Sequence, residues 1–301
     1  MTVLTTSLGL ALIGIALRDV FEVLFRHGGR GKLSRALMRG TWWAFHRLAH
    51  VRPRLFPLAG PLALLLVVGT WATLLAVGWA LIFWTHMSTG MSYASGSPPG
   101  RAGGFLDALY LSLVTLGTIG FGDITPALGW LKIVVPLEAL LGFGLLTASV
   151  SWLLSIYPAL LRRRSLAYEI ALLREVEREM RIEVDGLDGE AAERLYAELT
   201  SRLVAVERDL VAFPISYYFS ESDNRFALPV AMPYLLALAE RGISGPLGPG
   251  GTLRAAMLRQ AIDDFAHTTA ELFHGQPSRS AAEVLDAYAR DHLQAPASRG
   301  R

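Results

Sequence analysis

Six consecutive residues, Thr118 to Asp123, have the types and the order needed to strip water from a cation. They read Thr-Ile-Gly-Phe-Gly-Asp, so two glycines stand at alternate positions. A row of backbone carbonyl oxygens can replace a hydration shell when successive carbonyls point the same way. That arrangement needs φ > 0 at alternate residues, which glycine adopts at little steric cost, and this accounts for Gly120 and Gly122. Thr118 can add a hydroxyl oxygen at the inner end, and Asp123 can add a negative charge at the outer mouth.

Apolar segments lie on both sides of this stretch and must hold it. Residues 61–86 carry no charge, and as a helix of about 39 Å they would cross a membrane with some tilt. Residues 130–157 form a second apolar span. Phe105–Leu116 would reach only about 18 Å as a helix, roughly half the hydrocarbon thickness. Because a half-helix that returns as extended backbone is tolerated only inside protein, we predict an outer helix, a pore helix and an inner helix in an all-α membrane protein.

The composition agrees with a membrane protein that carries a polar appendage. Hydrophobic residues make up 52 % of the chain and charged residues 18 %, against a usual charged share of about 25 %. No acidic residue occurs from Val23 to Leu106, whereas basic residues recur from Arg26 to Arg54. A basic block beside apolar spans is typical of the cytoplasmic side of a membrane, and its place between apolar helices argues against nucleic-acid binding. No nucleophile–base pair or metal-ligand set stands out, so we expect neither an enzyme nor a cofactor.

The six residues resemble the selectivity filter of potassium channels, whose signature reads Thr-Val-Gly-Tyr-Gly-Asp. Over roughly residues 60–160 the chain is similar to prokaryotic potassium channels with two transmembrane helices and one pore loop. The resemblance implies a homotetramer in the plasma membrane that conducts K⁺ passively, with the filter facing outward. It also implies which carbonyls bind the ion: those of Thr118, Ile119, Gly120, Phe121 and Gly122.

The resemblance also assigns roles on the inner helix. In the resembling channels a glycine nineteen residues after the filter aspartate is a gating hinge, and Gly142 stands at that position. Close helix packing at Gly142 is the alternative. Phe143, Leu146 and Val150 share one helical face, which by the resemblance lines the cavity.

Glu138 is an ionisable residue about two turns into the predicted inner helix, and such a residue is a functional candidate. It is turned roughly 120° from the proposed cavity face. We therefore predict that Glu138 lies behind the filter, hydrogen-bonded to a pore-helix group such as Ser112 or Thr115. Related channels often carry a glutamate on the pore helix, where this chain has Val114.

Three residues depart from the pattern of the family. Gly117 replaces a threonine that usually precedes the filter, and Phe121 lacks the hydroxyl of the usual tyrosine. Tyr110 stands where a tryptophan often bonds the filter aspartate, which predicts a hydrogen bond from Tyr110 to Asp123 at the outer mouth. These departures leave open a weakly selective cation channel.

The chain divides into four predicted parts. Residues 1–26 form an N-terminal membrane helix with Arg18 and Asp19 paired near the cytoplasmic interface, the alternative being a helix that lies on the membrane. Residues 27–57 are a basic interfacial segment, in which His46 and His50 are more simply interfacial residues than metal ligands. Residues 58–162 are the pore domain.

Residues 163–301 are expected to form a cytoplasmic helical domain. Helical periodicity runs through Tyr168–Met180 and Glu190–Leu210, the glycine-rich stretch 242–251 is expected to be a loop, and further helices are expected at 252–274 and 279–294. The low strand content does not fit a Rossmann domain. The ligand or partner of this domain is not readable, and a membrane-anchored sensor or interaction protein is a further alternative for the whole chain.

Overall fold

The structure is a computed structural model that describes residues 2–26, 31–49, 51–94, 103–187, 189–275 and 280–292. These residues form two compact units. The first unit contains residues 2–26, 31–37 and 64–154, and the second contains residues 38–63 and 155–292 as far as they are described. Helices account for nearly all of the regular structure, as the sequence predicts.

Up to residue 180, the helices and strands are α1 (Thr2–Leu24), α2 (Lys32–Ala49), α3 (Ala59–Trp84), β1 (Met91–Tyr93), α4 (Phe105–Leu116), β2 (Ile124–Pro126) and α5 (Leu131–Met180). In the described part of the chain, two helical segments are long and apolar enough to cross a membrane: Leu55–Trp84, which includes α3, and α5. The pore helix α4 has the predicted limits. The predicted inner helix 130–157 and the separate helix Tyr168–Met180 are instead one continuous helix, α5, which runs on through Pro158.

Within the first unit, α1 packs closely and antiparallel along α3. A Cβ added to Gly9 would clash with the carbonyl oxygen of Gly78, and a Cβ added to Gly78 would meet Ile13. Ten residues further along α1, Asp19 contacts Trp71 of α3. Small residues that let two backbones approach are typical of helix pairs in membranes. This packing favours the prediction that α1 crosses the membrane, which stays a prediction.

The carboxylate of Asp19 is buried and caps the N-terminus of α2. It accepts hydrogen bonds from the backbone amides of Leu33 and Ser34, at 3.1 and 3.2 Å, and from the Ser34 hydroxyl. Trp71 Nε1 donates to it as well, at 2.9 Å. The predicted Arg18–Asp19 pair is therefore wrong, and Arg18 pairs with Glu22. The first backbone amides of a helix have no acceptor within the helix. A carboxylate that accepts from them gains more than it would from an ion pair with a solvated arginine, and Asp19 therefore bonds α2 and not Arg18.

We expect Asp19→Ala to destabilise the first unit by about 3 kcal/mol, because it leaves buried donors on α2 and Trp71 without an acceptor. Thermal unfolding of the detergent-solubilised protein measures this. Glu22→Ala is the matched control, since its exposed i,i+4 ion pair with Arg18 contributes only about 0.3–0.5 kcal/mol. Equal melting temperatures for the two variants would contradict the capping role.

The second unit is built mainly from α6 (Gly189–Ala212), α7 (Leu228–Ser244), α8 (Pro249–Thr269) and α9 (Ala281–His292). α8 packs against α6, α7 and α9, and the core includes the fully buried Tyr196, Phe265 and Tyr288. The predicted loop 242–251 is wrong in extent, because only residues 245–248 lie outside a helix. Gly242 allows α7 to pack closely against Tyr196 of α6, since a Cβ at this position would clash with the Tyr196 hydroxyl.

The basic cluster Arg162, Arg163 and Arg164 follows the predicted inner span and has protein partners within the second unit. Arg162 forms two 2.7 Å hydrogen bonds with the carboxylate of Asp209. The buried Arg163 donates to the carbonyl oxygens of Ser216 and Phe219, at 2.5 and 2.7 Å. These contacts fasten the second half of α5 to the C-terminal helices.

The histidine pair of the basic segment is only partly described. His46 Nε2 lies 2.7 Å from the carbonyl oxygen of Asp291, and His50 lies outside the described residues. Among the described residues, no group of three or more His, Cys, Asp or Glu side chains could hold a metal ion.

Candidate functional site: a carbonyl-lined filter

The pore helix α4 begins and ends at glycines that suit its termini. The Asp107 carboxylate accepts hydrogen bonds from the amides of Gly103 and Gly104, at 2.9 and 3.3 Å, and so satisfies donors that the first turn leaves open. Gly117 is the C-cap residue, and its amide donates to the carbonyl oxygen of Leu113 at 2.9 Å. The backbone therefore leaves the helix just before Thr118. The negative end of the helix dipole lies there, which favours a cation.

The backbone after α4 alternates in handedness. The φ angles of Thr118, Gly120 and Gly122 are +55°, +59° and +76°, whereas Ile119 and Phe121 do not have positive φ. Alternation turns successive peptide groups so that their carbonyls can point in one direction. The two glycines adopt this conformation at little cost, but Thr118 is a β-branched residue at positive φ, which is rare and strained.

The amides of the filter are tied to the pore helix. Thr118 N donates to the carbonyl oxygen of Thr115 at 2.9 Å, and the amides of Ile119 and Gly120 donate to the carbonyl oxygen of Val114 at 2.9 and 3.3 Å. No donor among the described residues bonds the carbonyl oxygens of residues 118–122. Residues 118–122 are exposed in the single chain, so this row of oxygens is accessible to another group.

Asp123 holds the C-terminal end of the segment 118–122. Its carboxylate accepts a 2.7 Å hydrogen bond from the Tyr110 hydroxyl, the contact that the sequence predicts. Its backbone carbonyl accepts from Ala94 at 2.8 Å. The strand β2 begins directly after Asp123 and pairs antiparallel with β1, which precedes α4, so that Tyr93 lies opposite Ile124. The mouth of the filter is therefore joined to the loop that follows the outer helix.

Glu138 is fully buried and joins α5 to α4, the helix that directly precedes residues 118–122. The Ser112 hydroxyl lies 2.5 Å from Glu138 Oε1 and 2.9 Å from the carbonyl oxygen of Ala76 on α3. The predicted contact with Ser112 is thus present. A serine hydroxyl has one proton, and the Ala76 carbonyl can only accept. Both bonds are complete together only when the Glu138 carboxyl carries a proton and donates it to Ser112.

We expect Glu138→Gln to retain conduction within about threefold, because a glutamine amide can donate to Ser112 as the protonated carboxyl does. Glu138→Leu removes this donor and is expected to lower the stability of the first unit by about 2 kcal/mol. Thermal unfolding and ion flux of both variants measure this. Equal damage from Gln and Leu would show that the site needs an ionised carboxylate.

The helix α5 presents the predicted face away from the core of the first unit. The side chains of Phe143, Leu146 and Val150 are 61 %, 64 % and 48 % exposed. Phe143 and Leu146 line a cavity of about 380 Å³ together with Thr118 and Gly142. Val150 is not part of that lining, although it lies on the same helix.

Gly142 lies against the end of the pore helix. A Cβ there would clash with the carbonyl oxygen of Leu116, whereas a Cβ on Gly144 would meet nothing within 4 Å. α5 continues without a break through both glycines. This contact favours close packing over a hinge as the reason for Gly142.

One feature of the site is not predicted from the sequence. This is the left-handed φ of Thr118, and its signal is the alternate spacing of Gly120 and Gly122, which extends back to position 118. Outside the site, the capping contact of Asp19 on α2 is likewise not predicted.

The comparisons with known proteins concern the region that contains this site. Residues 70–157 match a family model described as "Ion channel". A relative from Bacillus subtilis (strain 168), described as "Uncharacterized membrane protein YdjJ", is 26 % identical over 265 residues, which cover 86 % of this chain and 76 % of the relative. No solved structure matches the chain. The chain is therefore an all-α membrane protein, and its residues 70–157 are similar to ion channels.

Proposed function

We propose that the chain is the subunit of a potassium-selective channel, in which four copies place their filters around one axis. The observation that carries this proposal is the backbone of residues 118–122. Its φ angles alternate in sign, its amides bond the pore helix, and its carbonyl oxygens have no donor among the described residues. Such a row of carbonyls replaces the water of a cation.

A single copy cannot surround an ion, and this supports a homotetramer. In one copy Ile119 and Phe121 are 59 % and 67 % exposed, as are large parts of Phe143 and Leu146. Apolar exposure of this extent beside a filter marks a surface that other subunits cover. Each chain has one filter, and closed rotational symmetry brings identical filters together.

In this arrangement each part of the site has a task. The carbonyls of Thr118, Ile119, Gly120, Phe121 and Gly122 coordinate K⁺ in several successive sites, so that neighbouring ions repel one another onward. The Thr118 hydroxyl faces the inner end, where the α4 dipole favours a cation. Asp123, fixed by Tyr110, contributes a negative charge at the outer mouth.

The orientation follows from the positions of the charges. The basic helix α2 lies on the cytoplasmic side by the positive-inside rule, and the filter then faces outward. With α1 as a further spanning helix, the protein is a multi-pass protein of the plasma membrane with a cytoplasmic C-terminus. The antiparallel packing of α1 on α3 supports this topology.

A weakly selective cation channel is the second candidate, because two residues weaken the support of the filter. Gly117 brings no hydroxyl to the innermost site. Phe121 has no hydroxyl to bond the pore helix, so its ring holds the filter by packing alone.

Flux from liposomes tests the proposal. The full-length protein is reconstituted, and K⁺ and Na⁺ uptake are measured with and without Ba²⁺. We expect K⁺ uptake that Ba²⁺ blocks, with Na⁺ uptake lower by at least about tenfold. Equal uptake of the two ions would favour the weakly selective channel. If neither the intact chain nor a chain without residues 170–301 allows ion uptake, both the potassium-selective and the weakly selective channel are contradicted.

A further inference from the structure

The second unit contains an open cleft of about 360 Å³ that lies between α5, α7 and the short 3₁₀ turn Asn224–Phe226. This volume is within the range of small-molecule sites. None of its lining residues belongs to the filter or to the cavity beside it.

Three arginines and one glutamate line the cleft. Arg174 and Arg178 stand four residues apart on α5 and therefore share a helix face. Arg225 comes from the 3₁₀ turn on the opposite side, and Glu175 is the single acidic residue in the lining. The cleft therefore has an excess of positive charge.

The three arginines differ in how they are held. Arg225 lies over the ring of Tyr168, 5.1 Å from its centroid, and 3.5 Å from Glu175. Arg174 and Arg178 are exposed, and in the described part of the chain neither has a hydrogen bond or an ion pair. One guanidinium is thus positioned in advance, and the other two keep all their donors for a ligand.

The rest of the lining combines apolar and polar groups. Ile170, Val230 and Ala231 form apolar walls, and Asn224 adds an amide. The Tyr234 hydroxyl donates to Glu177 at 2.7 Å. Burial and this hydrogen bond raise the pKa of Tyr234 well above its usual range, so the ring stays neutral beside the ligand space.

We propose that this cleft binds the phosphate group of a small metabolite that also carries an apolar or flat organic part. Guanidinium groups match phosphate oxygens in bidentate pairs, and a phosphate offers enough oxygens for three arginines at once. A simple carboxylate has too few oxygens to use all three. The apolar walls receive the organic part.

A soluble metabolite fits better than a lipid headgroup, although both carry phosphate. Arg174 lies ten residues beyond Arg164, and therefore about 15 Å further along α5. That distance separates the cleft from the basic cluster that directly follows the apolar span, where an anionic lipid headgroup would be expected.

Binding to the full-length protein in detergent, measured by titration calorimetry with inorganic pyrophosphate and with adenosine monophosphate, tests the proposal. We expect saturable binding of at least one probe. Arg174→Gln and Arg178→Gln should each weaken it by about tenfold or more. Arg208→Gln is the matched control, because Arg208 is exposed, lies on α6 and does not line the cleft.

The variants should keep the melting temperature of the parent protein, since Arg174 and Arg178 have no partners to lose. No saturable binding, or equal weakening by Arg208→Gln, would overturn the proposal. Competition with lipid nanodiscs distinguishes a soluble metabolite from a lipid headgroup. The bound probe is challenged with nanodiscs of phosphatidylglycerol, with nanodiscs of phosphatidylcholine as the control. If those discs displace the probe, the cleft does bind a phosphate group, but the ligand is a lipid headgroup and not a soluble metabolite.

Discussion

Gly122→Ala is expected to abolish potassium conduction while leaving the protein folded, and Gly120→Ala is expected to do the same. Both glycines have left-handed φ angles, +76° and +59°. An alanine forced into that region raises the free energy of the filter backbone by about 1–2 kcal/mol relative to glycine, and this occurs in each of the four proposed subunits. The backbone relieves it by turning a peptide group, which removes a ring of carbonyls from the axis. K⁺ flux from liposomes measures the loss.

The matched control for these variants is Gly129→Ala. Gly129 lies seven residues after Gly122, does not have positive φ, and has open space where a Cβ would go. We expect its flux to stay within about twofold of the parent, because surface substitutions away from special backbone rarely matter. Parental flux in Gly122→Ala, or equal loss in Gly129→Ala, would contradict the assignment of the filter.

Gly142→Ala is expected to impair conduction by at least about tenfold, because its Cβ would clash with the Leu116 carbonyl oxygen. Leu116 and Gly117 directly precede the filter, so the displaced backbone shifts Thr118 and the innermost ion site. The measurement is K⁺ and Na⁺ flux in liposomes. Selectivity should fall together with the rate, because the change acts on the filter and not on a gate.

Gly144→Ala separates this packing role from a hinge. A Cβ at Gly144 meets nothing within 4 Å, and Gly144 lies two residues further along the same helix. Both substitutions stiffen α5 to a similar degree. Under the packing role only Gly142→Ala is harmful, whereas equal effects of the two substitutions would favour a hinge.

The local features of the filter could be predicted because each depends on residue type at short range. Gly104 and Gly117 bound the pore helix, and Gly120 and Gly122 permit the alternation of φ. The Ser112–Glu138 contact followed from helical spacing and from the cost of a buried carboxyl. The Tyr110–Asp123 contact followed instead from the resemblance to potassium channels.

Features that depend on tertiary contacts could not be predicted in the same way. Asp19 caps α2 from a neighbouring helix, and the local sequence gives it an equally good partner in Arg18. Gly242 is typical of a loop by residue type, but it lies in α7, where the contact with Tyr196 leaves no room for a Cβ. The predicted inner span ends at residue 157, where the apolar run ends, but α5 continues to Met180. Proline disfavours a helix interior, yet Ile156 and Ala159 on either side of Pro158 are buried and keep the helix continuous.

The cleft at Arg174 and Arg178 shows the same limit. On the sequence these arginines belong to a dense run of charges, typical of a solvated helix face. Only the fold brings Arg225 and Asn224 opposite to them.

The most direct test of the central claim is the bi-ionic reversal potential of the reconstituted protein, with K⁺ on one side of a planar bilayer and Na⁺ on the other. Each tenfold preference for K⁺ shifts the potential by about 59 mV. A carbonyl-lined filter built from residues 118–122 predicts a shift of more than about 59 mV in the direction of K⁺ preference, lost in Gly122→Ala. A current that reverses near zero would contradict potassium selectivity.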